Sequence, residues 1–533
     1  MDCKTTDLLD FAQTGFFSKL ILDYLEGDPA LAPFQSYSPS IHAFSEAIQA
    51  KKKEHVDRRV LSEVIKSQYG PDLLSPQTES IIDSLNQPTT FTVTTGHQLN
   101  VFGGPLYFIY KIITTINLAE AVEKANPGTR IVPVFWMATE DHDFEEINHV
   151  HLFGKQLKWD SKQGGATGRM DPRDMRELLR QFREILGRSA QAEELASMFE
   201  VAYSGHRTLA SATRYFVHQL LGKYGLIILD ADDPRLKALF SEIIKQDILE
   251  GISGTAVSKT NEQLEQAGYK TQAHPREINF FYLEDGLRER IVFEEDAYRV
   301  LNTDKCFTAE SLTREIDLHP QRFSPNVIMR PVYQEKILPN LAYIGGGGEL
   351  AYWLQLRGVF QAYQINFPIL LLRNSVLLVD EKSARRLESL GIPPASLFQP
   401  EAQLMTSFVK THSRHELSLD EEKRLLEQLF DRIGEKAYAI DPTLKDSAEA
   451  EKAKALNSLK NLETKLTRAS KRRFDTELGQ LSRIRQKLFP NSGLQERHDN
   501  FIPFYLQYGP SFIDQLKHKL DPCINKFQIL SVS

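Results

Sequence analysis

The segment Thr139-Glu140-Asp141-His142-Asp143 crowds three carboxylates and an imidazole together. Such groups repel one another unless a cation or hydrogen-bond donors neutralise them. They could hold Mg²⁺, accept an ammonium group or deprotonate an amine. The plain alternative is a helix start, where acids complement the dipole. A zinc site is disfavoured, because no H-x-x-x-H spacing accompanies it.

Four other segments carry polar groups in suggestive company. In Gly96-His97-Gln98-Leu99-Asn100-Val101-Phe102-Gly103-Gly104-Pro105, glycines let backbone approach a ligand, and His97 and Gln98 can donate to phosphate or carboxylate. Pro105 is expected to open a helix whose free N–H groups favour an anion. Gly345 to Gly348, followed by Glu349, offers more exposed amides, yet matches neither a Walker loop nor GxGxxG. Arg330, after Asn326, has a donor fork suited to a carboxylate. Leu494 to Asn500, with Tyr505 and Tyr508, mixes polar and aromatic groups that could pack a purine or seal the core. No GxSxG elbow occurs, and Cys3, Cys306 and Cys523 form no CxxC pair.

Several of these segments follow strand-like runs. Phe91 to Thr95, Ile131 to Met137, Leu226 to Leu229, Leu341 to Ile344 and Phe367 to Leu372 read as strands. Helical spacing separates them, as in Leu106 to Val122 with Ile109, Ile112, Ile113 and Ile116 on one face. The alternation predicts an α/β fold with a doubly wound parallel sheet, whose ligands sit beyond the carboxyl ends of the strands. Asn279 to Leu283 and Arg290 to Phe293, around Asp285-Gly286, read as a β-hairpin in an insertion. Ser418-Leu-Asp-Glu421 reads as a capping box. Asp441-Pro442 then breaks two long heptad-like helices, predicting an antiparallel coiled coil.

The boundaries expected are a mainly helical segment 1–88, a first core portion 89–240, a connective insertion 241–330, a second core portion 331–380, a coiled-coil domain 381–493 and a returning segment 494–533. The chain has 533 residues and a net charge of −7, which argues against a nucleic-acid binder. The acid-bearing N-terminus lacks a signal-peptide pattern, and no run is long enough to span a membrane. A cytoplasmic protein with reduced thiols is expected.

The motifs together resemble one family. TTGHQLNVFGGPLYFIYKI, VPVFWMATEDHDFEEINHV, SPNVIMRPVYQEKILPNLAYIGGGGELAYW and LQERHDNFIPFYLQYGPSFID are similar, in order, to blocks of the bacillithiol-biosynthesis cysteine-adding enzymes, the BshC cysteine ligases. The resemblance implies a Rossmann-type core related to class I aminoacyl-tRNA synthetases and nucleotidyltransferases, with a coiled coil used for homodimerisation. It implies amide formation between L-cysteine and glucosaminyl malate. Carried over by motif, His97, Gln98, Asp141, His142 and Asp143 would be catalytic, and Gly96, Asn100, Gly103, Gly104, Asn326, Arg330, Gly347 and Glu349 would bind substrate. The family's Gln-Gln pair begins here with His97.

Cysteine's carboxylate is inert, so ATP, with Mg²⁺ beside it, is expected to activate it and leave as AMP or ADP. Asp141 or Asp143 would orient the acceptor amine, and His142 would take its proton. Arg497, Asn500 and Tyr505 are the candidate nucleotide contacts, and no resident metal site is expected. Two rival readings stand beside this one. The first is a nucleotidyltransferase or adenylate-forming ligase on another small acid. The second is a non-catalytic coiled-coil dimer scaffold.

Overall fold

The computed structural model describes residues 3–413 and 418–533. Ten strands concern the site: β1 Thr90–His97, β2 Arg130–Met137, β3 Ile227–Asp230, β4 Phe280–Glu284, β5 Leu287–Glu294, β6 Ala297–Val300, β7 Cys306–Phe307, β8 Phe323–Pro325, β9 Asn340–Gly345 and β10 Ile369–Leu372. Three helices accompany them: α1 Tyr107–Ala125, α2 Met329–Ile337 and α3 Gly347–Gln355.

One sheet has the order β10-β9-β1-β2-β3, every pair parallel. The chain winds from β1 outward to β2 and β3, then crosses back to β9 and β10. The carboxyl ends of β1 and β9 therefore border the switch point, where open α/β sheets bind ligands. β1, β2, β9 and β10 are buried almost throughout, as expected of strands covered on both faces. Phe91, Val93, Ile131, Leu341 and Ile369 pack with Leu118 and Val122 of α1 and with Phe44 and Ile48 from the N-terminal helices. The expected Rossmann-type architecture is present, with strand limits shifted by a residue or two. Phe367 and Pro368 precede β10 rather than joining it.

The β4–β5 hairpin turns at Asp285-Gly286, as its sequence predicts, and Glu284 pairs with Leu287. It belongs to a separate antiparallel sheet, β7-β6-β5-β4-β8. An extended segment, Cys3–Leu9, replaces helix at the start of the chain.

The chain divides into two compact units, Met1–Leu377 with Gln495–Gln528 and Leu378–Leu494 with Ile529–Ser533. In the second unit, α4 Asp420–Ile440 and α5 Leu444–Lys471 form the hairpin expected around Asp441-Pro442. Lys423 pairs with Glu463 and Lys452 with Asp431. Partners that rise in one helix as they fall in the other fix the antiparallel direction. Asp441 accepts from the Thr443 N–H and closes the turn. Ser418 does not build a capping box; it lies too early, and its Oγ accepts from the Asp420 N–H. Among the described residues no helix is long and apolar enough to cross a membrane.

Candidate functional site

A cavity of about 640 Å³ opens at the carboxyl ends of β1, β2 and β9, within the ~300–1,000 Å³ range of small-molecule sites. Gly96, His97, Gln98, Asp141, Asn326, Arg330 and Glu349 all line it. Segments spread over more than two hundred residues thus meet where the strand order reverses.

Its floor is an ion pair. Lys111, on α1, reaches both carboxylate oxygens of Glu349, on α3, at 2.8 Å. Its ammonium also donates to the Gly96 carbonyl at the end of β1. Tyr343 Oη donates to Glu349 at 2.7 Å and the Gly346 N–H at 3.1 Å. Burial raises the Glu349 carboxyl, but Lys111, Tyr343 and the amide outweigh it and bring it down to about 2. Burial pulls the Lys111 ammonium below its usual value, against the pull of Glu349.

Arg330 lies in an aromatic box. Its guanidinium carbon is 5.8 Å from the centroid of Trp136, 5.6 Å from Tyr343 and 5.8 Å from Trp353. Nη1 donates to Gln334 at 3.0 Å, whereas the buried Nη2 has no partner among the described residues. Gln334 Nε2 donates to Glu335, which also accepts from Asn340, so the Gln334 carbonyl oxygen faces the guanidinium.

His97 packs against Tyr107 and Phe108, with ring centroids 5.2 and 5.4 Å away. Burial, then the Lys111 charge, pushes its pKa down to about 3. The ring is therefore neutral at pH 7, and its buried Nε2 has no partner among the described residues.

The acidic loop is held from several sides. The Thr167 and Gly168 N–H groups donate to the carbonyls of Asp141 and Thr139. Gly168 approaches so closely that a Cβ there would lie 2.4 Å from the Thr139 side chain. Glu140 pairs with the buried Lys237 at 2.6 Å. Asp141 accepts from Gln98 Nε2 at 2.7 Å. His142 Nδ1 lies 2.6 Å from Arg288 Nη1. A guanidinium can only donate, so Nδ1 accepts and the neutral ring carries its proton on Nε2. His142 thus cannot take up a proton without changing its contact with Arg288, which speaks against the expected base role. Burial and the Arg288 charge, in that order, also lower its pKa. Asp143 is exposed, and its N–H donates to Asp141.

Other expected contacts point elsewhere. Gly103 and Gly104 do not line the cavity. Gly104 has a φ of 61°, and a Cβ there would meet Asn100 at 2.7 Å. Asn500 Nδ2 donates to the carbonyls of Phe102 and Gly104, and Phe501 packs on Gly103. Asn100 donates to the Glu146 carbonyl. The helix begins at Tyr107 rather than Pro105, and the Leu106 N–H donates to the Asp499 carbonyl. The C-terminal segment thus covers the turn meant for an anion. Gly347 opens α3 but faces Phe17 and Ile21. Tyr505 bonds Glu194 at 2.9 Å, Asn500 is the backbone clamp just described, and Arg497 is exposed. None of these three lines the cavity.

Sequence reasoning missed Lys111, Arg288, Trp136, Tyr343 and Tyr352. Lys111 is the one charged group in the run Ile109-Tyr110-Lys111-Ile112-Ile113 and is nearly fully buried; a charged residue on an apolar helix face was the available signal. Among the described residues no group of three or more His, Cys, Asp or Glu side chains could hold a metal ion.

Comparison with known proteins gives a consistent result. Residues 1–374 match the family model "Bacillithiol biosynthesis BshC, N-terminal Rossmann-like domain", and residues 376–532 match "Bacillithiol biosynthesis BshC, C-terminal coiled-coil domain". Relatives named "Putative cysteine ligase BshC" include one from Flavobacterium johnsoniae, 42% identical over 99% of this chain and 100% of its own. One from Christiangramia forsetii is 41% identical over 99% of each chain. A solved structure titled as a putative arginyl tRNA synthetase from Campylobacter jejuni aligns over 85% of this chain and 99% of its own. Its identity of 11% and TM-score of 0.21 are too slight to bear on the fold. With both family domains spanning the chain and near-full-length relatives above 40% identity, this chain belongs to the BshC family of bacillithiol biosynthesis.

Proposed function

We propose that this chain is a cysteine ligase that joins the carboxyl of L-cysteine to the amine of glucosaminyl malate, with ATP activating the carboxyl. The observation that carries the reading is Arg330. A buried guanidinium with one unsatisfied nitrogen, boxed by aromatic rings at the strand-end crevice, is built for a carboxylate. The names of the relatives supply cysteine as the substrate joined; the acceptor and ATP are this reading's own.

ATP supplies the leaving group that a free carboxylate lacks. The orphaned Nε2 of His97 suits an anionic oxygen, so the residues present fit such a group. The neutral His97 ring donates to developing negative charge. The Lys111–Glu349 pair fixes the Gly96 carbonyl and the start of α3, and so the shape of the floor. Asp141, steadied by Gln98, orients the acceptor amine and takes its proton as the carbon–nitrogen bond forms. The rim position of His142 serves Arg288 rather than proton transfer.

The hairpin supports a homodimer. Leu425, Leu429, Ile433, Leu462 and Leu466 are 52, 44, 42, 48 and 37% exposed, a coiled-coil seam left for a second copy. A Leu429→Glu/Ile433→Glu variant is expected to halve the mass seen by light scattering; an unchanged mass would discard the dimer. The reading places the chain in the cytoplasm, where reduced cysteine and ATP are at hand.

The test uses cysteine labelled with ¹⁸O in its carboxyl. Ligation through an activated carboxyl moves one labelled oxygen to AMP or to phosphate as the amide forms, and mass spectrometry reads both products. Amide without label transfer would remove ATP from the reading. No amide at all would remove the ligase.

A further inference from the structure

Asp247 is a wholly buried carboxylate with no cation beside it among the described residues. Burying such a group is costly unless donors surround it. The Ser253 N–H donates to it at 2.7 Å, Ser253 Oγ at 2.8 Å and Tyr363 Oη at 2.9 Å. Asp247 lies near the end of the helix Ser241–Glu250, and Ser253 is in the first turn of the next, Ile252–Gln266. Capping that helix needs one oxygen on the Ser253 N–H, which a neutral amide would supply as well. The second oxygen, held on the Ser253 hydroxyl, asks for another account.

From Ser253 the hydrogen bonds run on towards the cavity. Asn279 Nδ2 donates to Ser253 Oγ at 2.7 Å. The backbone of Arg276 holds the Asn279 amide one way round: Oδ1 accepts from the Arg276 N–H and Nδ2 donates to the Arg276 carbonyl. Ser253 Oγ therefore receives a hydrogen from Asn279 and gives its own to Asp247. On the other side Asn279 Oδ1 accepts from Asn326 Nδ2 at 2.9 Å, and the Asn279 carbonyl accepts from the Asn326 N–H at 3.1 Å. Asn326 Oδ1 is left to accept from the N–H groups of Ile328 and Met329, at 2.9 and 3.3 Å, where α2 begins. The Asn326 carbonyl accepts from the Arg330 N–H at 2.9 Å. Every side-chain hydrogen in this chain points towards Asp247. Buried networks stiffen what they join when each member is satisfied. Ser253 and Asn279 are wholly buried too, and none of Asp247, Ser253 and Asn279 lines the cavity.

We propose that Asp247 is a positioning residue of the site: as the terminal acceptor of the relay Ser253–Asn279–Asn326, it fixes the start of α2 and so the aim of Arg330. Asp247→Asn keeps an oxygen on the Ser253 N–H but turns amide hydrogens on Ser253 Oγ, which then meets donors from both sides. Tyr363 also bonds Asp247, but it lies off the path to Asn279. It serves as the control for a role in stability alone. The proposal rests on the ligase reading for its rate readout only, since hydrogen exchange tests it without turnover.

The experiment compares Asp247→Asn, Ser253→Ala and Tyr363→Phe in the full chain, by steady-state amide formation and by hydrogen–deuterium exchange read by mass spectrometry. Asp247→Asn and Ser253→Ala are expected to raise KM roughly tenfold, within the ~2–30-fold over which connecting residues act. Their kcat should stay near native, because Asn326 and Arg330 hold substrate and make no bond. Exchange should quicken in the segment 326–334 of both. Tyr363→Phe should lower the melting temperature with neither change. Should Asp247→Asn not fold, Ser253→Ala carries the test. A KM within about twofold of native in the folded variants, below that range, overturns the proposal. So does a fall in kcat alone, which reports fewer folded molecules, or a Tyr363→Phe variant that matches the other two. Should the native chain make no amide while exchange responds as described, the ligase reading fails and the relay stands. Should amide form natively while exchange and KM stay unmoved, the relay fails and the ligase reading stands.

Discussion

Lys111 and Glu349 lie 238 positions apart in sequence, yet the ammonium of one sits 2.8 Å from both oxygens of the other. The pair ties the helix after β1 to the helix after β9 across the switch point. Removing one partner strands a charge. Lys111→Met is expected to cost roughly 3–5 kcal/mol in urea unfolding. Adding Glu349→Gln should recover part of that, and simple additivity of the two losses would deny the coupling.

The same pair sets an acid limit. Glu349 is held at about 2 in the fold against 4.5 for the free group. Its contribution is complete above pH 4.5 and is lost as pH falls from 4.5 towards 2. Glu349→Gln is expected to flatten stability across that window. An unaltered acid limb would show that Glu349 is not ionised in the fold.

His97 acts in a higher window. Its folded pKa of about 3 lies below the free value of 6.5, so the unfolded chain binds the extra proton first. Stability should fall as pH drops from 6.5 to 3. His97→Gln, the residue of the family motif, should remove that fall. A ring that titrates between pH 5 and 8 by NMR would contradict the buried neutral imidazole.

Glu335 shifts the other way. Burial, opposed by Lys51, Gln334 and Asn340, raises its carboxyl to about 7 from 4.5. The fold favours the neutral acid, so stability should decline as pH rises from 4.5 to 7. Glu335→Gln should abolish this slope and keep Gln334 oriented towards Arg330, leaving activity within about threefold. A slope that persists in the variant would place its origin elsewhere.

The acidic loop separates two roles. General-base loss usually costs roughly 10²–10⁴-fold. Asp141→Asn is expected to fall in that range in kcat, whereas His142→Ala should lose less than tenfold because its Nδ1 is engaged by Arg288. A His142 defect larger than that of Asp141 would reverse the assignment.

Much of the frame was legible because strand and helix periodicities are local. The runs at Phe91, Ile131 and Leu341 announce buried parallel strands, and the loops after them carry Gln98, Asp141 and Arg330 to one cavity. Asp285-Gly286 marked its hairpin for the same reason. What was not legible depends on chain from far away. Gly103-Gly104 looks like an anion cradle until Asn500 and Phe501 arrive to fill it. Arg288 reads as one more charge on an alternating strand, and only the placement of the inserted sheet turns it into the cavity. Arg497 and Tyr505 were chosen by composition, which says nothing of which way a side chain faces.

The central claim is that ligation occurs where Arg330 meets the strand ends. The direct measurement is kcat/KM for amide formation by Arg330→Met beside the native chain, with equal unfolding midpoints confirming that the variant is folded. At least a hundredfold loss is expected. A folded Arg330→Met protein that makes the amide within threefold of the native rate would contradict the account.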